Sequence, residues 1–308
     1  MTLSPLQLAF ALAPRLPLGL VMWLARAGSG IAARCGGSAV TRMRSNIARL
    51  TGTQPSDALV RAAVVSPIRN YGEQLMLGSP RGACLLEGVT FEGFEELTAA
   101  THDGPVVLAL GHSGSCDRAG AWVCSQGYDV VTVAEKVEPA ALFERFVALR
   151  EGLGMEIIGV AKGESVFSAL VERVRSRHVI VPLLADRDIS GAGIEVTLGG
   201  GRALVAAGPA ALATRLDRPL FVACITYENE TATGADVRVR CVGPVRTPPD
   251  TPGGGNRVEA LTQAWVDDFA GMMRDKPQDW HMMQRVFVED LDPERLARAR
   301  AEHERKNR

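Results

Sequence analysis

The sequence predicts an α/β fold: a single domain with a central mixed, mostly parallel sheet that is covered by helices. Apolar stretches of strand length alternate along the middle of the chain with segments whose apolar residues recur at helical spacing, as in sheets whose strands are joined by helices. No repeat or long linker divides the 308 residues, and 46% of them are hydrophobic, which is enough for one large core. We therefore predict one domain over residues 1–308.

The predicted strands and helices follow each other in a regular order. Because β-branched and aliphatic residues cluster there, strands are expected at 105–110, 129–135, 155–160, 178–185, 219–227 and 237–243. Because apolar residues recur every three or four positions, helices are expected between these strands at 117–126, 140–154, 164–177 and 208–216. A Pro- and Gly-rich loop at 247–256 precedes a last helix at 257–275.

The amino-terminal segment 1–56 is basic and apolar. It contains no Asp or Glu but six arginines, at 15, 26, 34, 42, 44 and 49, around apolar stretches such as 16–25. The apolar runs are too short to span a bilayer, and Pro14 and Pro17 interrupt the first of them. We therefore predict helices that lie on an anionic membrane surface. A helical cap over the core with solvated arginines is the alternative, and the two are compatible.

Composition excludes several classes of protein. A net charge of −1 and basic clusters without interleaved aromatic residues argue against nucleic-acid binding. Six cysteines without a CxxC pair fit a reduced compartment, and no metal-ligand spacing is found. The sequence 111–115 departs from the GxSxG signature of hydrolases because Ser115 replaces the last glycine. Neither GxGxxG nor a Walker loop occurs, so nucleotide chemistry is not expected.

The stretch GHSGSCD at 111–117 follows a predicted buried strand and contains a candidate catalytic pair. A neutral imidazole there could take a proton from a hydroxyl group, and a carboxylate on its other ring nitrogen would fix the tautomer. Gly111 and Gly114 allow the chain to fold Asp117 back towards His112. We therefore predict that Asp117 supports His112. In the alternative interpretation, Asp117 is only a residue of a helix amino terminus.

Further charged residues are placed where they could meet a ligand. Arg145 and Arg150 lie on the helix at 140–154 and could bind an anionic group, although they could equally be solvated helix charges. Asp186 and Arg187 follow a predicted buried strand at its carboxyl end, where the sites of α/β proteins gather. Trp280 and His281 occupy a polar and aromatic loop, where packing is the simpler role.

Together these segments resemble a known family. The HxxxxD motif, the arginine-bearing helix, the LLADRD strand end at 183–188, the AGPAALA segment at 207–213 and the DWHM segment at 280 are similar to the bacterial lysophospholipid and lipid A late acyltransferase superfamily. Within it the chain looks most like the actinobacterial phosphatidylinositol mannoside acyltransferases. The resemblance extends to MRSNIARL and IRNYGEQLML near the start and covers most of the chain.

The resemblance implies a membrane-associated enzyme that transfers a fatty acyl chain, expected to be palmitoyl, from acyl-CoA to a mannose 6-hydroxyl of a mannosylated phosphatidylinositol. It implies His112 and Asp117 as the catalytic pair and Asp186 as a further acidic residue. We predict substrate-binding roles for Arg150, Arg145, Glu135, Arg187, Glu195 and Arg202.

No cofactor or metal is expected, and the expected location is the cytoplasmic face of the plasma membrane. An acyltransferase with another glycolipid or lysophospholipid acceptor and a catalytically inactive lipid-binding homologue remain as alternatives.

Overall fold

The computed structural model describes residues 15–17, 19–21, 23–24, 27–28, 36–79, 82–136, 139–160, 166–188, 193–231, 234–247 and 255–306. The strands are β1 Val89–Glu92, β2 Val106–Leu110, β3 Asp129–Glu135, β4 Met155–Val160, β5 Val179–Leu184, β6 Ile194–Leu198, β7 Gly201–Val205, β8 Leu220–Glu228 and β9 Asp236–Val242. The helices are α1 Ser38–Thr51, α2 Asp57–Leu77, α3 Cys84–Glu87, α4 Phe94–Thr101, α5 Cys116–Ser125, α6 Ala140–Gly152, α7 Phe167–Val174, α8 Gly208–Leu216, α9 Gly255–Met273 and α10 Pro293–Lys306.

The fold is a single α/β domain around a seven-stranded sheet with the strand order β1-β9-β8-β2-β5-β3-β4. The five strands from β8 to β4 are parallel, whereas β9 pairs antiparallel with β8 and parallel with the edge strand β1. The predicted mixed, mostly parallel sheet is therefore confirmed. Strands β6 and β7 form a separate antiparallel hairpin.

The core lies on both faces of the sheet because successive side chains of a strand point to opposite faces. In β2, Val107 and Ala109 pack into the cluster that contains α8 and α9, whereas Val106, Leu108 and Leu110 pack into the cluster that contains α4 and α5. All five residues of β2 are buried. This double burial explains why the central strands appear in the sequence as continuous apolar runs.

The six predicted strands are present as β2, β3, β4, β5, β8 and β9. Strand β1 and the β6–β7 hairpin were not predicted. β1 is a four-residue edge strand that alternates between partly buried and exposed positions, so it has no apolar run. The hairpin lies between the predicted strand at 178–185 and the predicted helix at 208–216, where the sequence analysis placed no strand.

The last part of the basic segment 1–56 is packed into the domain. Helix α1 buries Met43, Ile47 and Leu50, and its arginines are engaged by carboxylates. Arg49 contacts Asp290 at 2.5 Å, with further ion pairs Arg42–Asp290 and Arg44–Asp57. These arginines act within the fold, and most of the predicted surface helices fall outside the described residues. None of the helices in the described ranges is long and apolar enough to cross a membrane.

Candidate active site

The register of two neighbouring strands brings His112 and Asp186 together. Leu110 at the end of β2 pairs with Leu184 at the end of β5, and the Ala185 N–H continues this pairing by donating to the Leu110 carbonyl at 2.8 Å. Because the strands are parallel, both chains leave the sheet at the same edge. His112 and Asp186, two residues beyond these strand ends, therefore stand side by side.

The loop after β2 is built for close packing. A Cβ at Gly111 would lie 2.2 Å from the Phe269 ring, so only glycine fits there. Gly114 has a φ of +51°, and a Cβ there would lie 2.6 Å from the Ile225 carbonyl oxygen. The Ser113 hydroxyl accepts a hydrogen bond from the Ile225 N–H at 3.3 Å. These contacts hold the loop, and with it His112, against the sheet.

The carboxylate of Asp186 is bonded to His112 through both of its oxygens. Oδ1 lies 2.6 Å from His112 Nδ1, and Oδ2 accepts from the His112 N–H at 2.9 Å and from the Trp280 indole N–H at 2.8 Å. Burial raises the pKa of Asp186, but the charge of His112 and these hydrogen bonds outweigh it and hold the pKa below its usual value. Because an ionised carboxylate only accepts, the single hydrogen of the neutral form of this imidazole lies on Nδ1, and Nε2 then carries a lone pair.

The predicted contact between Asp117 and His112 is not what the structure shows, because Asp186 occupies His112 Nδ1. Asp117 lies in the first turn of α5 and binds Arg150 instead, with Nε at 2.6 Å and Nη2 at 3.2 Å. The Gln74 side-chain amide donates to Asp117 Oδ2. Asp117 thus joins α2, α5 and α6 around the Arg150 guanidinium.

The environment of Arg150 favours its charged form. Burial lowers the pKa of Arg150, but the charge and hydrogen bonds of Asp117 outweigh it and raise the pKa above its usual value. The guanidinium also lies over the Phe146 ring at 5.8 Å. With Nε and Nη2 engaged by Asp117, Nη1 has no hydrogen-bond partner within the described part of the chain. Arg150 is therefore a fixed cation beside the His112 loop.

No activated thiol or hydroxyl nucleophile is found among the three groups nearest to His112 in sequence. Burial, together with the charge of Asp117, raises the pKa of the Cys116 thiol to about 12, so the thiolate is not populated at neutral pH. The Ser113 hydroxyl is engaged by Ile225, and Ser115 is fully buried. The described segment from His112 to Asp117 therefore offers no activated nucleophile beside the His112 ring.

A second histidine lies beside His112. The His281 N–H donates to the His112 carbonyl at 2.7 Å, and its Nε2 lies 2.8 Å from the Ser66 hydroxyl, which donates to Asp279 Oδ1 at 2.7 Å. Burial, and then the charge of His112, lowers the pKa of His281 to about 3. His281 is therefore neutral at physiological pH, and its ring is fixed by the buried Ser66–Asp279 pair.

Three other predicted site residues lie near the same edge of the sheet or on α6. Glu135 ends β3, is exposed and lies at the carboxyl edge of the sheet with His112. Arg145 is exposed on α6, and Arg187 is half-buried after β5. The structure brings none of these side chains into hydrogen-bond contact with His112, and their predicted roles stay predictions.

Glu195 and Arg202 are placed on the separate β6–β7 hairpin. They contact each other at 2.8 Å, and Arg202 also lies 3.9 Å from Glu289. Both are exposed. Neither residue contacts His112 or Asp186, so the structure does not join them to the site.

Sequence reasoning did not identify the hydrogen bonds by which three residues support Asp186, Asp117 and His281. Trp280 bonds to Asp186, Gln74 to Asp117 and Ser66 to His281. Gln74 and Ser66 lie on α2, a helix whose polar residues include several that are buried. Polar residues that share the apolar face of α2 are the signal that could have identified Gln74 and Ser66, because buried polar groups require partners.

Comparison with known proteins shows the family of the chain. The family model described as bacterial lipid A biosynthesis acyltransferase matches residues 11–289. The chain is 34% identical to the phosphatidylinositol mannoside acyltransferase of Mycolicibacterium smegmatis. The 288 aligned residues cover 92% of this chain and 90% of that protein. It is 33% identical over 283 residues to the protein of the same name from Mycobacterium tuberculosis H37Rv, covering 89% of this chain and 84% of the relative. The chain therefore belongs to the bacterial lipid A biosynthesis acyltransferase family.

Proposed function

We propose that this acyltransferase moves a fatty acyl chain, palmitoyl in the expected case, from acyl-CoA to a mannose 6-hydroxyl of a phosphatidylinositol mannoside. The names of its relatives support the acceptor. One observation carries the chemistry: the hydrogen bond from His112 Nδ1 to the buried Asp186 carboxylate at 2.6 Å, which leaves Nε2 as a base.

The proposed transfer is direct. His112 Nε2 takes the proton of the sugar hydroxyl while its oxygen attacks the thioester carbonyl, so that a C–O bond forms and the C–S bond breaks. The imidazolium returns its proton to the leaving thiolate, which departs as the free thiol of CoA. Asp186 stabilises the imidazolium through Oδ1. The raised pKa of the buried Cys116 thiol supports a route without an acyl-enzyme at that residue.

Arg150 is proposed to bind an anionic group of the substrates. Its Nη1, which no described residue engages, and its fixed orientation suit a phosphate, because a guanidinium held by a carboxylate loses little further freedom on binding. In this proposal Asp117 acts on Arg150, and its effect on the reaction is exerted through substrate position. Arg145, Arg187 and Glu135 are proposed as further contacts on the same side.

We propose that the protein lies peripherally on the cytoplasmic face of the membrane and contacts the bilayer through exposed apolar side chains. Val21 is buried against Met76 and Leu77 at the end of α2, and the neighbouring Trp23 and Leu24 are 61% and 49% exposed. Tyr71 on α2 and Leu184 at the end of β5 are also exposed large hydrophobic residues. An apolar surface near the catalytic edge of the sheet is expected where an enzyme takes a lipid from a bilayer.

The central experiment incubates the purified protein with palmitoyl-CoA and a mannosylated phosphatidylinositol, and mass spectrometry then measures the lipid products. A product heavier by one palmitoyl group, which is lost in His112→Ala, is expected. A general base contributes roughly 10²–10⁴ in rate. Transfer only to a lysophospholipid would identify the other acceptor class. Absence of transfer to either lipid, with both still bound, would identify a lipid-binding homologue.

The membrane proposal is tested by co-sedimentation with anionic and neutral liposomes. The double variant Trp23→Ser and Leu24→Ser should bind less, because each lost apolar side chain removes about 1.5–3 kcal/mol of transfer free energy if it is fully buried in the bilayer. Val242→Ser is the matched control, since Val242 is 42% exposed but ends β9 at the opposite edge of the sheet. Equal loss of binding in both proteins would contradict the proposed membrane face.

A further inference from the structure

Trp280 lies directly behind the catalytic carboxylate. It is 1% exposed, and its indole Nε1 donates to Asp186 Oδ2 at 2.8 Å. The turn that carries it is fastened to the His112 loop: the Gly114 N–H donates to the Asp279 carbonyl at 3.1 Å, and the His281 N–H donates to the His112 carbonyl at 2.7 Å. Trp280 is thus held in register with the histidine by backbone bonds on both sides.

We infer that Trp280 is a positioning residue, whose indole N–H fixes the Asp186 carboxylate in the orientation that leaves His112 Nε2 free to act as the base. This inference rests on the proposed function, since it assigns Trp280 a part in the same proton transfer. A packing role alone is the competing interpretation, because Trp280 also belongs to the main hydrophobic core.

The donors around Asp186 explain why the indole matters. Oδ2 accepts from the His112 N–H and from Trp280, and Oδ1 faces His112 Nδ1. Without the indole N–H, Oδ2 keeps one donor and the carboxylate can turn about its Cβ–Cγ bond. The buried anion also becomes more basic because a donor has been lost. His112, His281 and Cys116 are titratable groups that interact electrostatically with Asp186.

The chain offers a matched control for removing this N–H. Trp265 is also fully buried, in the same core cluster, and its Nε1 has no hydrogen-bond partner in the described ranges. Trp280→Phe and Trp265→Phe therefore make the same change of size and apolar surface, but only the first removes a hydrogen bond. The difference between the two variants isolates the effect of that bond.

Steady-state acyl transfer is measured for both variants from acidic to alkaline pH. Trp280→Phe should lower kcat by roughly 10-fold or more, the usual effect of a lost hydrogen bond to a charged group, with the KM for acyl-CoA changed by less than about 3-fold. The acid limb of the pH profile should move to higher pH, because a more basic carboxylate keeps the Asp186–His112 pair protonated up to a higher pH. Trp265→Phe should keep both the wild-type kcat and the wild-type profile.

A second measurement covers the case in which Trp280→Phe does not fold. Replacing Trp280 with benzothienylalanine keeps the bicyclic shape and removes the donor, and it should reproduce the fall in kcat. The proton between His112 Nδ1 and Asp186 should give a far-downfield proton NMR signal, which is assigned by its loss in His112→Gln. In the benzothienylalanine protein this signal should shift or broaden. This NMR readout needs no substrate, so it tests Trp280 even if the proposed transfer is not found. A wild-type kcat and pH profile, or an unchanged downfield proton, would overturn the inference.

Discussion

Replacing Asp186 by asparagine should convert His112 into the wrong tautomer. Oδ2 of Asp186 faces two donors and Oδ1 faces one. The side-chain amide of an asparagine would therefore keep its oxygen at the Oδ2 position, where it satisfies the His112 N–H and Trp280. Its NH2 group would then face Nδ1 of His112, which must accept, so that the ring hydrogen moves to Nε2. A protonated Nε2 has no lone pair with which to take the hydroxyl proton.

The expected magnitude follows from that loss. Without its base the reaction should slow by roughly 10²–10⁴-fold in kcat, whereas the KM for acyl-CoA should change little because Asp186 is buried away from solvent. The assay is steady-state transfer from palmitoyl-CoA with separate determination of kcat and KM. Circular dichroism and thermal unfolding show whether the variant is folded.

Asp117→Asn is the comparison, because the geometry predicts a different kinetic effect. Oδ1 of Asp117 accepts from Arg150 Nε, and Oδ2 accepts from Arg150 Nη2 and Gln74. An amide opposes one of these donors if its NH2 takes the Oδ1 position and two if it takes the Oδ2 position, at about 1.5–3 kcal/mol for each lost charge-assisted bond. The KM for acyl-CoA should rise by roughly 10-fold with a smaller fall in kcat. A kcat lowered as far as in Asp186→Asn, at unchanged KM, would refute this division of roles and restore Asp117 as the partner of His112.

Three further predictions test the loop and its surroundings. Cys116→Ser should keep kcat within about 3-fold of wild type, since a thiol whose pKa is about 12 is not a nucleophile at neutral pH; a complete loss of transfer would contradict this. Gly111→Ala should lower both kcat and the melting temperature, because the added Cβ would lie 2.2 Å from the Phe269 ring; thermal unfolding and transfer assays of the variant check it. Burial raises the pKa of the Asp279 carboxyl to about 6 in the folded protein. Its contribution to stability is therefore fully present when the pH is below the pKa of the unfolded chain, and it is lost as the pH rises through about 6. The lowered pKa of His281 acts in the opposite direction over the same range, so urea unfolding of wild type is compared with that of Asp279→Asn at each pH. The difference in unfolding free energy between the two proteins should change by about 2–3 kcal/mol between about pH 4 and 7, and a constant difference would contradict the prediction.

The parts of the fold that could be predicted are those with a strong local signal. Strands β2, β5 and β8 are buried on both faces, so their apolar runs are continuous and easily recognised. Strand β1 and the β6–β7 hairpin have mixed burial and were missed. The difference is physical: an edge strand or hairpin gains its stability from a partner segment, and its own sequence does not show that partner.

The site shows the same limit of local information. The spacing of the HxxxxD motif correctly places Asp117 in the first turn of a helix after His112, but it does not determine the direction of the side chain. Arg150 and Gln74 lie on α6 and α2, and together they draw the carboxylate towards those helices. Asp186 is separated from His112 by 74 positions, and only the register of β2 and β5 brings them together. That register is a property of the whole sheet.

The positions of the two carboxylates follow from the elements that hold them, and they explain how one short motif could serve two tasks. Asp186 is buried at a strand end, and among the described residues it is hydrogen-bonded only to His112 and Trp280. On the proposed function its charge therefore acts on the imidazolium and not on a substrate. Asp117 lies in the first turn of α5 and is joined to Arg150, whose Nη1 has no hydrogen-bond partner in the described ranges. On the proposed function, the loop from His112 to Asp117 therefore links the proton-accepting ring at one end to a cation that binds the substrate at the other. A shift of that loop would misplace the base and the bound substrate together, which explains why glycines packed against Phe269 and Ile225 fix its course.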